Sequence, residues 1–150
     1  MKLKKLTITN YRCFKKAEID FDAYITLVVG KNGAGKTAIL NAVAVSVSTL
    51  LLGIDGGVSR SILKDDARYE FHDLNGTIDP QHQFPVNIES IGDCLEQKSV
   101  TWIRSLNSES GKTTIKDASE LTGLAKKAQN QIMTGDKSLV LPLISYYGTG

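Results

Sequence analysis

The sequence predicts an α/β fold built around a strand, a glycine-rich turn and a helix. Three observations carry that prediction: the apolar run Tyr24–Val29, the segment Gly30–Thr37 that follows it, and the charge-free stretch from Thr37 to Ile54. An apolar run with no alternation is the mark of a strand covered on both faces of a parallel or mixed sheet.

Taken in order, Lys2–Asn10 carries apolar Leu3, Leu6 and Ile8 beside β-branched Thr7 and Thr9, which predicts a first strand. A turn at Tyr11–Lys16 leads to Ala17–Phe21, where Ala17, Ile19 and Phe21 alternate with Glu18 and Asp20. That is a half-buried strand, and the two together predict an antiparallel ribbon. Lys36–Leu52 is ambiguous on its own, since Val43, Val45 and Val47 alternate while Leu40, Val43, Val47 and Leu51 fit a helical face. The preceding turn decides for a helix, with Gly53 as its C-terminal cap and Asp55-Gly56-Gly57 as a flexible exit. A short helix can start within Ser59–Arg68, and Gly76–Pro85 reads as a loop. Val86–Ile91 and Val100–Leu106 predict a second hairpin. Asp117 or Ser119 caps a helix running to about Met133, with Leu121, Leu124, Ala125, Ala128 and Ile132 at helical spacing and Gly135 closing it. A last apolar strand is expected at Leu139–Tyr147. No repeat or low-complexity tract divides the chain, so residues 1–150 read as one domain.

Composition narrows the function classes. A net charge of +2 over 150 residues is no dense basic field of the kind that announces nucleic-acid binding. The positive charge is concentrated early, at Lys2, Lys4, Lys5, Arg12, Lys15, Lys16, Lys31 and Lys36, which leaves the remainder net negative. Cys13 and Cys94 belong to no CxxC pair, so reduced thiols and a cytoplasmic location are expected. LTITNYRCF is too interrupted for a signal peptide, and Asn41, Ser46, Ser48 and Thr49 make Thr37–Ile54 a buried helix rather than a membrane span.

Gly30–Thr37, GKNGAGKT, satisfies every fixed position of the P-loop pattern G-x-x-x-x-G-K-[ST]. Gly30, Gly33 and Gly35 let the backbone take positive dihedrals and aim consecutive N–H groups at phosphate oxygens. The helix N-terminus adds unpaired N–H groups and partial positive charge. The candidate nucleotide-binding residues are therefore Gly30, Lys31, Asn32, Gly33, Ala34, Gly35, Lys36, Thr37 and Ala38. Lys36 is expected to reach the β- and γ-phosphates and Thr37 to coordinate Mg²⁺, which makes these two the catalytic candidates and Thr37 the metal ligand. A second GKT at Gly111-Lys112-Thr113 has Leu106 where the pattern needs Gly, and reads as a solvated hairpin turn. The acidic pair in Lys64-Asp65-Asp66 follows only Ile62 and Leu63, and reads as a surface charge pair rather than the end of a hydrolytic strand. His72 and His82 lack metal spacing and read as exposed or structural.

Asn10-Tyr11-Arg12-Cys13-Phe14 followed by Gly30–Thr37 resembles the start of SMC-like and RecF-like ATPases, which share an ABC-ATPase-like N-terminal lobe. The resemblance implies that Arg12 lies beside the nucleotide phosphates, that Tyr11 or Cys13 sits near them, and that Ile62–Arg68 borders the adenine. The segments Lys64–Arg68, Val100–Asn107 and Leu141–Gly150 are similar to PtuA-type ATPases of Septu and retron anti-phage systems. That similarity implies ATP and Mg²⁺ as cofactors, a homodimer or higher homo-oligomer formed through ATP, and control of an HNH nuclease. In retrons it also implies a reverse transcriptase with an RNA–DNA hybrid; no membrane is expected, because Thr37–Ile54 reads as a buried helix. Where ABC proteins place a Gln after the last strand, this chain has Tyr147-Gly148-Thr149. Walker B and the signature motif are expected beyond residue 150, so these residues are expected to bind nucleotide without efficient hydrolysis. A RecF-like DNA-repair or DNA-clamp ATPase is the alternative. A transporter subunit fits least, because about a hundred residues separate the P-loop from the last strand.

Overall fold

The computed structural model describes residues 1–74, 77–136 and 138–148. The main sheet is antiparallel with strand order β2-β1-β5-β6, formed by β1 (Lys2–Tyr11), β2 (Phe14–Asp20), β5 (Val86–Cys94) and β6 (Gln97–Leu106). Between β2 and β5 in sequence lie helix α1 (Lys36–Ser48) and a separate ribbon of β3 (Tyr69–Leu74) with β4 (Thr77–His82). Helix α2 (Ser119–Met133) follows β6.

Register explains the core. Ile8 stands opposite Ala17 on one side and Ile88 on the other, and Leu6 opposite Ile19 and Ser90, so alternate residues of three strands share one face. Leu6, Ile8, Val86 and Ile88 are fully buried there beneath α1, which presents Ala38, Ala42 and Val45. The two alanines let helix and sheet approach closely, and the polar atoms at the contact are satisfied. Ser46 Oγ and Ser90 Oγ lie 2.6 Å apart, and Trp102 Nε1 donates to the Ser46 carbonyl at 3.1 Å. A second cluster of Leu50, Val100, Trp102, Leu121 and Ala125 joins α2 to the far end of the sheet. Buried Arg104 donates through Nε to the Thr114 carbonyl and through Nη1 to Thr49 Oγ1, and burial pulls its pKa down. By length and composition, Lys36–Gly53 could cross a membrane, yet half of that window is buried against the rest of the fold.

Both hairpins and both helices stand where the sequence puts them, though the N-cap of α2 is Ala118, with no side-chain cap bond, rather than Asp117 or Ser119. Six other expectations differ. Tyr24–Val29 forms no strand: Tyr24 is 94% and Leu27 81% exposed, and local bonds replace a ladder, with Tyr24 N–H donating to Asp22 Oδ1. Leu139–Tyr147 likewise has no strand pairing, and Leu143 is 95% exposed. An apolar run becomes a strand only with a neighbour to bond, and neither run meets one among the described residues. Thr149 and Gly150, the end of that segment, lie outside the described residues.

Gly76–Pro85, read as a loop, instead supplies β4. Pro80 sits opposite Phe71 in a two-stranded ribbon, where a proline is tolerated because each strand has a free edge. Ser59–Arg68 gives only a 3₁₀ turn at Lys64–Asp66. Gly53 closes a 3₁₀ extension of α1 (Thr49–Gly53) rather than α1 itself, and its service is close packing: a Cβ there would lie 2.1 Å from the Thr122 carbonyl oxygen of α2. The second GKT is a turn but joins no hairpin. Its Gly111 N–H bonds the Ser108 carbonyl, while Thr113 Oγ1 both accepts from Ile62 N–H and donates to Ile62 O.

Candidate functional site

The P-loop forms as an open turn leading into α1. Gly33 and Gly35 take φ of 83° and 90°, the left-handed region in which a side chain is strained, whereas Gly30, expected to share it, does not. Gly35 is needed twice over, because a Cβ on it would lie 2.5 Å from Phe14 Cζ and 2.7 Å from Cys13 Sγ. The turn between β1 and β2 therefore backs the phosphate loop directly. Around Gly33 nothing approaches a built Cβ within 4 Å, so the cradle is open on that side.

Lys36 lies across the loop, its Nζ donating to the Gly30 carbonyl at 2.7 Å and to the Lys31 carbonyl at 2.8 Å. Ala34 N–H closes on the Lys31 carbonyl at 3.2 Å, and Ile39 N–H on the Gly35 carbonyl at 3.0 Å marks the first bond of the helix. Lys31, Asn32, Gly33, Ala34 and Thr37 are exposed, whereas Ala38 is buried against the sheet and anchors the turn. Open glycines, an ammonium over the loop and an exposed hydroxyl at the first helical turn suit a phosphate chain with its magnesium. Lys36, Thr37 and the loop amides would hold Mg-ATP, which supplies a cleavable phosphoanhydride when bound. Among the described residues, no cluster of three or more His, Cys, Asp or Glu forms a ready-made metal site.

Arg12 takes φ of 50° and makes three bonds to Asp66. Its Nε and Nη2 each reach Asp66 Oδ1 at 2.8 Å, and its N–H bonds the Asp66 carbonyl at 2.7 Å. Asp66 differs from its sequence expectation. Far from belonging to a surface pair, it is 5% exposed, and its other oxygen accepts the Leu63 N–H at 2.9 Å. Asp65 beside it is exposed, and Lys64 pairs with Glu109 instead. Asp66→Ala should lower the unfolding free energy in a urea melt by about 2 kcal/mol. That is less than for a fully buried pair, because Arg12 is 41% exposed.

Arg12 and Asp66 border a cavity of about 290 Å³ whose other walls include Tyr11, Asn41, Ser59 and Arg60. Burial first, then the Asp66 charge, push the Tyr11 phenol up to about 12, against a smaller opposing pull from Arg12 and Arg60. Tyr146 Oη donates to Asn41 Oδ1 at 2.7 Å, and the Arg60 guanidinium stands 4.9 Å from the Tyr146 ring centroid. Sequence reasoning passed over Asn41, Ser59, Arg60 and Tyr146. Only Asn41 left a trace, as a polar residue one helical turn after Thr37. Cys13 is exposed and Cys94 buried, both as free thiols. His72 is exposed; His82 packs in the ribbon.

A family model described as an AAA domain matches residues 5–150. RecF of Clostridioides difficile, a DNA replication and repair protein, is 46% identical over 43 residues, covering 29% of this chain and 12% of its own length. The DNA double-strand break repair Rad50 ATPase of Archaeoglobus fulgidus is 48% identical over 44 residues, covering 29% of this chain and 5% of its own. Its counterpart from Thermococcus kodakarensis is 34% identical over 77 residues, covering 51% of this chain and 8% of its own. The matches thus span about a tenth or less of these relatives. A solved chain from work on ATP-driven dimerization and DNA stimulated activation of SMC ATPases overlays with a TM-score of 0.47 at 18% identity, covering 92% of this chain and 93% of that one. With Gly33 and Gly35 left-handed, Lys36 lying across the loop and the family model matched over residues 5–150, the chain belongs to the AAA domain family, as a P-loop ATPase domain similar to those of RecF and Rad50.

Proposed function

We propose that residues 1–150 are the N-terminal lobe of an ATPase that binds Mg-ATP at Gly30–Thr37, dimerises over it, and so governs an HNH nuclease in anti-phage defence. One observation supports the nucleotide part above all: Lys36 poised over a loop whose Gly33 and Gly35 are in the left-handed region. The exposure of Lys31 to Ala34 leaves that loop open to a second protomer. The defence assignment, with its nuclease and, in retrons, a reverse transcriptase and RNA–DNA hybrid, rests on the resemblance carried by Lys64–Arg68, Val100–Asn107 and Leu141–Gly150.

A second reading, a RecF-like repair or clamp ATPase, is favoured by the RecF and Rad50 similarities. Affinity purification of the full-length protein from its host separates the two. An HNH nuclease retained in constant proportion supports the first reading. Duplex DNA binding that falls steeply with salt, with no nuclease retained, supports the second and overturns the first.

A further inference from the structure

On the side of the molecule formed by the β3–β4 ribbon lies a cleft of about 540 Å³, distinct from the Arg12–Asp66 cavity and sharing with the segment Ile62–Arg68 only Lys64. One wall is aromatic. Tyr69 and His82 are cross-strand partners with ring centroids 4.0 Å apart, and His82 in turn stacks on Phe84 with centroids 6.1 Å apart and planes 29° apart. The other wall is polar, made by Lys64, Asn107, Ser108 and Glu109. Lys64 and Glu109 neutralise each other as an ion pair. His82 Nδ1 is buried and has no hydrogen-bond partner among the described residues.

We propose that this cleft binds an unstacked nucleobase of a single-stranded nucleic acid, gripping the ring against Tyr69 and His82 and reading its edge with Lys64, Asn107, Ser108 and Glu109. A flat heteroaromatic ring with donors and acceptors on its rim matches one aromatic wall and one polar wall. An aromatic side chain from a protein partner matches only the first, and would bury the second without partners. A free nucleotide fits less well than a strand, because Lys64, the ammonium lining the cleft, is already paired with Glu109.

The test is fluorescence anisotropy of the full-length protein with a labelled single-stranded oligonucleotide and with an abasic strand of the same length and charge. The intact strand should bind more tightly than the abasic one. Tyr69→Ala should weaken it roughly five- to a hundredfold, the worth of one stacked base, with Tyr69→Phe close to wild type. Tyr69 is 44% exposed, and a thermal melt of both variants reports folding separately. Lys36→Ala should leave strand binding unchanged, so failure here is distinct from failure of the P-loop reading. Equal binding of the abasic strand, or an unaffected Tyr69→Ala protein that melts normally, overturns the proposal. Displacement of the strand by ATP in the Lys36→Ala protein, or binding of a tryptophan-containing peptide but no strand, assigns the cleft to a free nucleotide or to a protein partner and overturns it equally.

Discussion

Gly35→Ala should cost the protein about 2–5 kcal/mol and abolish nucleotide binding. Two independent penalties combine. The residue holds φ of 90°, where an L side chain is strained by about 1–2 kcal/mol. The new methyl would also stand 2.5 Å from Phe14 Cζ and 2.7 Å from Cys13 Sγ, and overpacking of that kind adds about 1–3 kcal/mol. Phe14 cannot yield freely, since it packs against the main core and its residue pairs with Tyr11 across the β1–β2 turn. Relief must come from the loop, which moves the amides away from the phosphates. Gly33→Ala is the internal control. Its φ of 83° brings the strain, but nothing lies within 4 Å of the added carbon, so a loss of about 1–2 kcal/mol is expected. Urea melts of the two variants should separate in that order, and equal losses would show that the Cys13-Phe14 backing is unimportant.

Lys36→Ala should have the opposite profile, a small effect on stability and a large one on binding. The ammonium's bonds to Gly30 O and Lys31 O are exposed, and such contacts are worth little in the folded state. Toward a triphosphate the same ammonium makes charge-assisted bonds of about 1.5–3 kcal/mol each. Two of them correspond to about 3 kcal/mol or more, roughly a hundredfold or greater loss in ATP affinity. Calorimetric titration should register that loss while the urea midpoint stays close to wild type. Unchanged ATP affinity would remove Lys36 from the site.

How much of this was legible in the sequence follows from where each segment finds its partners. The β1/β2 and β5/β6 hairpins were readable because Ile8, Ala17 and Ile88 obey a period of two and pair locally or with one neighbour. Helix α2 was readable from Leu121, Ala125 and Ala128. The phosphate loop was readable because its glycines answer to backbone geometry, which does not depend on distant packing. Pro80 and Gly76 hid the β3–β4 ribbon, since both discourage strands that are not at an edge. Tyr24–Val29 and Leu139–Tyr147 carry strand composition, but composition names no partner. Asp66 was misjudged for a similar reason. Its burial depends on Arg12, fifty-four positions earlier, and no local pattern reports that pairing.

The central claim is that triphosphate meets the backbone between Gly30 and Ala38. The most direct measurement is an amide NMR titration of the protein with Mg-ATP. The largest shifts should fall on the N–H groups of Lys31 to Ala38, with the Lys36 ammonium signal moving as it leaves the Gly30 and Lys31 carbonyls. Saturating Mg-ATP that leaves those amides in place, or shifts only resonances elsewhere in the fold, would contradict the account.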